Sequence, residues 1–187
     1  MKYIEFIKES LKNIKKVGTV FPSSKHVIEK MVAPINFDEK LIILELGSGS
    51  GVITKRLLEK MSFSSKLLCF ETNKKFYQEL KKINDNKMIL INQSAEKMKQ
   101  YLDIYEIEKV DYIVSSVPLL SLPKEVTNKI LSISVEILGE SGQLIQLQYT
   151  KLLSEKLKSY YNQIDIQFTP RYYLPAFIYT CHNQKKL

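Results

Sequence analysis

A chain of 187 residues, 44% of them hydrophobic, is long enough to bury one sizeable core and too apolar to be disordered. Its formal net charge of +8 calls for an anionic partner (RNA, DNA or an acidic membrane) or else for a lysine-rich solvated surface. No apolar run reaches the roughly 20 residues that cross a bilayer, and the first residues lack the apolar core and cleavage site of a signal peptide.

Residues 1–16 carry Ile4, Ile7, Leu11 and Ile14 at helical spacing, with Lys2, Lys8, Lys12 and Lys15 on the remaining surface. That pattern predicts an amphipathic helix, which either packs on its own domain or lies in a membrane interface. In "GTVFPSS" Pro22 breaks the chain, and Ser23 or Ser24 can cap a second helix reaching about Val32. From residue 41, short apolar runs alternate with amphipathic segments. Strands are expected at 41–46, 66–71, 87–92, 110–115 and 142–149. Helices are expected at 51–61, through "KFYQELKKI", over "AEKMKQYL" and from Lys124 to Leu138. This alternation implies a parallel sheet with helices on both faces. The strands at 163–168 and 176–181 are joined by too few residues for a helical crossover, so they should pair antiparallel.

No repeat or low-complexity linker divides the chain, so a single domain over 1–187 is expected, with a helical cap at 1–33 and an α/β core at 41–187. Cys69 and Cys181 lie far apart inside apolar runs, without metal-type spacing. They read as buried free thiols of a cytoplasmic protein, with no metal expected.

"ELGSGSG" (45–51) follows one strand and opens a helix, the context of a nucleotide-binding loop. Gly47, Gly49 and Gly51 permit positive φ and clear the backbone for a ligand, with Ser48 between them; a plain tight turn is the bland alternative. Glu71 ends the second strand 24 positions after Gly47, with Thr72 beyond it. A carboxylate there can accept hydrogen bonds from both hydroxyls of an adenosine ribose, though NAD would satisfy the same geometry. Glu45 and the terminal hairpin tip the choice towards S-adenosylmethionine, and the whole pattern is that of the Rossmann-like class I methyltransferases.

In "NQSAE" (92–96), Ser94 stands where methyltransferases commonly carry an acid for the adenine amino group. Ser94 or the Ala95 backbone can meet the adenine, and a helix N-cap explains the serine equally well. Ligands of a doubly wound sheet sit beyond the carboxyl ends of its strands, so "DYIVSSVPLLSLP" after the fourth strand should hold the methyl acceptor at Ser116 and Pro118, with Ser115 on the cofactor side. Adenine-methylating enzymes resemble one another here through an Asn-(Leu/Ile/Pro)-Pro-(Tyr/Phe) pattern. The matching positions are Ser116, Val117, Pro118 and Leu119: the proline is present, the amide and the ring are not. Without a stacking ring a flipped base loses much of its binding energy.

"GTVFPSS", "ELGSGSGVIT", "VSSVPLLSLP", "GQLIQLQYT" and "RYYLPAFIY" follow each other as in bacterial phospholipid N-methyltransferases, a family the chain resembles from about Val17 to Tyr179. The resemblance implies transfer of methyl groups from S-adenosylmethionine to phosphatidylethanolamine, towards phosphatidylcholine, by a monomer on the anionic inner face of the membrane. It implies cofactor contacts at Phe21, Pro22, Ser23, Glu45, Gly47, Gly49, Gly51 and Glu71. It places Tyr149 at the headgroup, Arg171 at the lipid phosphate, and Leu119, Leu120 and Leu122 towards acyl chains or the bilayer. Ser94 departs from the family's acid, and "QYTKLLS" lacks a glycine-proline expected after Tyr149. Two rivals stand beside this reading. An RNA adenine dimethyltransferase shares fold, cofactor and charge but should carry the missing Asn and aromatic, and usually a separate RNA-binding region for which this chain leaves no room. A non-catalytic cofactor-binding adaptor would keep the loops and lose the chemistry.

Overall fold

The computed structural model describes residues 22–170 and 176–183. The helix expected over 1–16, Phe21 and Arg171 lie outside the described residues, as do the side chains of Pro22 and Ser23.

Helix α1 (Pro22–Val32) precedes β1 (Ile42–Leu46), α2 (Val52–Lys60), β2 (Lys66–Phe70), α3 (Lys74–Leu80) and β3 (Met88–Ile91). Then follow α4 (Met98–Ile104), β4 (Val110–Ser115), α5 (Lys124–Ile137), β5 (Leu138–Gln148), α6 (Ser154–Lys158), β6 (Gln163–Thr169) and β7 (Ala176–His182). The seven strands form one sheet in the order β3-β2-β1-β4-β5-β7-β6. The first five run parallel, while β7 pairs antiparallel with both β5 and β6. Parallel strands buried on both faces, closed by an antiparallel hairpin, are what the apolar runs and the short last connection predicted.

Alternate residues of each strand feed opposite faces. On one face Leu44, Leu68, Ile113 and Leu144 pack with Met98 and Leu102 of α4, Ile130 and Leu131 of α5 and Leu157 of α6. On the other, Ile43, Leu67, Val114 and Ile145 pack with Val27 and Met31 of α1 and Leu57 of α2. Order reverses at β1, which has β2 on one side and β4 on the other. The crevice beyond their carboxyl ends is where a ligand can enter such a sheet.

Two local expectations change. β5 begins at Leu138, directly after α5, rather than at 142. Leu138 pairs with Val110, and a register shift at Val110/Tyr112 takes up "GES", which by composition reads as a turn. The helix α6 was not expected, because its five residues are too few to show a period. Among the described residues, no helix is long and apolar enough to cross a membrane.

Candidate active site

The chain leaves β1 through Gly47, Gly49 and Gly51 at φ +74°, +55° and +80°. These left-handed values favour glycine, so the motif is a backbone requirement. The Gly47 N–H donates to the Phe70 carbonyl at 2.8 Å, and the Gly51 N–H to the Ser48 carbonyl at 2.9 Å. A Cβ at Gly49 would meet nothing nearer than the Gly47 oxygen at 3.8 Å, so the loop's crown is open. Ser48 is buried, and its hydroxyl turns towards the Glu45 carboxylate and the Cys69 thiol beneath the loop.

Glu71, just beyond β2, holds the loop from the other side. Its Oε2 accepts from the Gly49 N–H at 2.8 Å and its Oε1 from the Asn73 N–H at 2.6 Å. Each carboxylate oxygen keeps a further lone pair with which to receive a ribose hydroxyl. Asn92 Nδ2 donates to the Glu71 carbonyl at 2.6 Å, pinning this corner to β3. Glu45, in contrast, is 1% exposed and faces inward. Its Oε2 accepts from Thr54 Oγ1 at 2.6 Å and from Cys69 Sγ at 3.4 Å. Burial pushes its carboxyl up to about 7 against the opposing pull of those hydrogen bonds.

Between the strand ends lies a cleft of about 120 Å³ lined by Gly47, Thr72, Ser94, Ala95 and Val117, with Leu122 and Ile130 on its apolar wall. Ser94 lines this cleft and caps a 3-10 turn, accepting from the Glu96 N–H at 3.4 Å, as its N-cap reading expected. The open glycine crown, the Glu71 carboxylate and the apolar cleft between the strand ends together fit S-adenosylmethionine. Gly47, Ser48, Gly49, Glu71, Thr72, Ser94 and Ala95 would hold it.

The loop after β4 is tied to the glycine loop. The Ser116 N–H donates to the Leu46 carbonyl at 3.0 Å, and Ser116 Oγ to the Gly47 carbonyl at 2.7 Å. Ser115 is buried, with its Oγ accepting from the Val117 N–H at 3.3 Å. Ser116 therefore fastens two loops together, and its hydroxyl hydrogen is already used. Pro118 is half-buried, and its carbonyl accepts from the Ser121 N–H at 2.8 Å. Leu119 requires a correction: at 1% exposed it belongs to the core and cannot face a bilayer. Thr127 Oγ1 donates to its carbonyl at 2.7 Å, holding the turn against α5. Leu120 is exposed, Leu122 half-buried.

Gln146 and Gln148 are site residues that reading the sequence missed. Both are buried, and both side-chain amides donate to the Val117 carbonyl, at 3.0 Å and 3.2 Å. Their signal was available: two amides at i and i+2 put polar groups on one face of a buried strand. Tyr149, next in the chain, turns to the other face and packs half-buried against the cluster containing α1. Cys69 and Cys181 are buried free thiols, as expected. Among the described residues, no His, Cys, Asp or Glu cluster could hold a metal. The contact of His182 with Asp165 at 3.0 Å lies at the far end of the hairpin from this site, where His182 pairs with Gln163 at the start of β6.

The chain is similar to several known proteins. The family model for ribosomal RNA adenine dimethylase matches residues 10–161. An ornithine lipid N-methyltransferase of Singulisphaera acidiphila is 23% identical over 97% of this chain and 96% of that relative. A ribosomal RNA small subunit methyltransferase A of Mycoplasmopsis synoviae is 30% identical over 63% of this chain and 46% of that relative, so the chain spans about half of its length. Among solved structures, an rRNA methylase of Streptococcus thermophilus superposes with TM-score 0.63 at 14% identity, over 89% of this chain and 100% of that one. A TehB-like SAM-dependent methyltransferase of Corynebacterium glutamicum gives TM-score 0.63 at 13% identity over 99% of both chains.

Proposed function

This chain belongs to the ribosomal RNA adenine dimethylase family, and from that premise we propose that it methylates the amine of a membrane-lipid headgroup, phosphatidylethanolamine first, using S-adenosylmethionine. The class of reaction follows from family and fold. The choice of acceptor rests on the Val117 carbonyl. An exocyclic adenine amine is held by an amide, the adjacent carbonyl and a stacking ring. Here the carbonyl already receives the Leu119 N–H and the amides of Gln146 and Gln148, which leaves it no free lone pair. Ser116 replaces the amide, and Leu119 is buried where the ring would stand. The full-length match to the ornithine lipid N-methyltransferase, whose name states an amine-bearing lipid acceptor, supports the same choice.

Bound S-adenosylmethionine would supply a methyl group activated on a sulfonium. The chain's own work is then to align and desolvate the amine. Val117 and Pro118 wall the acceptor side, Tyr149 approaches the amine from the opposite, α1-packed face, and the amine passes its proton to solvent. Peripheral work as a monomer on the anionic inner face of the membrane completes the proposal.

A second reading, RNA adenine methylation, is favoured by the family model and by the net charge of +8. One experiment separates them: labelled methyl donor is incubated with the protein and either lipid extract or RNA. Label in the lipid fraction is the expected result. Label in RNA alone overturns the lipid reading, and cofactor binding with label in neither makes the chain a non-catalytic adaptor.

A further inference from the structure

Four large apolar side chains are left in solvent around the acceptor end of the site: Leu152 at 78%, Phe168 at 51%, Ile166 at 39% and Leu120 at 37% exposed. They lie on neighbouring elements. The turn Leu119–Ser121 follows Pro118 and touches the turn Lys151–Leu153. Lys151 Nζ lies 5.7 Å from the centre of the Phe177 ring, and that ring packs 5.2 Å from Phe168. Ile166 is two residues back along the edge strand, on the same face as Phe168. Lysines bracket the patch, because Lys30 Nζ also donates to the Phe168 carbonyl at 3.2 Å. The nearby acids are engaged elsewhere: Glu155 with Lys158 at 2.7 Å and Asp165 with His182.

We infer that this patch is the surface by which the protein docks on an anionic lipid bilayer, with the acceptor loop at its rim; the inference rests on the lipid reading of the site. Apolar side chains rimmed by lysines bury in the headgroup boundary while the ammonium groups meet anionic lipid. The charge favours an anionic partner, and the side chains decide its class. Three of the four are aliphatic and have no flat face on which a base could stack, as a single-stranded RNA surface requires. Docking here sets the turn after Pro118 against the headgroup layer, so an amine can reach the cleft while its acyl chains stay in the bilayer.

Flotation with vesicles of phosphatidylglycerol and phosphatidylcholine, which contain no primary amine, tests the surface without the reaction. The variant Leu152→Glu with Phe168→Glu should bind at least about tenfold more weakly, the scale set by two large apolar side chains left unburied. Binding of S-adenosylhomocysteine should be unchanged, which verifies the fold; if the double variant does not fold, Leu152→Ser alone gives the reading. Phe63→Glu, 87% exposed but before β2 at the opposite end of the parallel strands, should float like the parent. Unaltered flotation of the double variant, an equal loss from Phe63→Glu, or loss of RNA binding with flotation intact would each overturn the assignment. Methyl transfer to detergent-dispersed amine lipid reports separately on the acceptor. Flotation without such transfer retains the docking surface and removes the lipid reading.

Discussion

The backbone N–H of Gly49 donates to Glu71 Oε2 at 2.8 Å, so the residue at the crown of the glycine loop and the acid beyond the next strand form one unit. The carboxylate is preorganised by the same loop that would carry the ligand's other end. Replacing Glu71 with Ala removes a charged acceptor and frees the loop. Cofactor binding measured by calorimetry should weaken about 10- to 100-fold, the range for hydrogen bonds to a charged group.

Gly47 couples cofactor and acceptor loops. A Cβ there would lie 3.1 Å from Val117 Cγ2, on a residue held at φ +74°. Gly47→Ala should cost about 1–2 kcal/mol in stability from the left-handed backbone. It should also push Val117 outward, so the methyl-transfer rate falls more than cofactor affinity. Rate and binding measured on one preparation check the split.

Glu45 sets a pH dependence with a definite sign. Its folded value, about 7, lies above the ordinary carboxylate value, so the folded state holds its proton more tightly than the unfolded chain. The group's contribution is fully present below about pH 4.5 and is lost as pH rises to about 7. Relative to the parent, Glu45→Gln should therefore gain roughly 2–3 kcal/mol of stability between pH 5 and pH 8. Urea unfolding of both proteins across that range reads the difference.

Gln146 is 0% exposed and donates to the carbonyls of Val117 and Leu147. Gln146→Met keeps the volume and removes both donors. It should destabilise by about 1–3 kcal/mol, the cost of leaving buried carbonyls short of partners. Denaturant midpoints measure this, and an unchanged midpoint would show that the loop does not need the amide.

Tyr149→Phe keeps the packing against the α1 cluster and removes only the hydroxyl. If that hydroxyl orients the amine, kcat should fall about tenfold or more with cofactor affinity unchanged. An unaltered rate and pH profile would remove the tyrosine from the mechanism.

Much of this was legible along the chain, for reasons specific to each element. The buried strands at 41–46 and 110–115 are short, largely apolar runs, which suit a sheet covered on both faces. The glycines were legible because positive φ restricts residue type, and the hairpin because its connection admits no crossover helix. α6 was not, being shorter than the period it would have to display, nor was the start of β5, where partner Val110 overrides a turn-like "GES".

By itself the sequence determined a doubly wound sheet, its cofactor loop and an acceptor loop without an amide or a ring. Each follows from local chemistry: apolar periodicity, backbone freedom, residue type. Only the tertiary structure decided where the side chains of that loop point. It buried Leu119, turned Ser116 onto Gly47 and brought Gln146 and Gln148 onto the Val117 carbonyl. Those outcomes depend on satisfying buried polar groups across residues 29 and 31 positions apart, and that constraint exists only once β4 and β5 lie side by side.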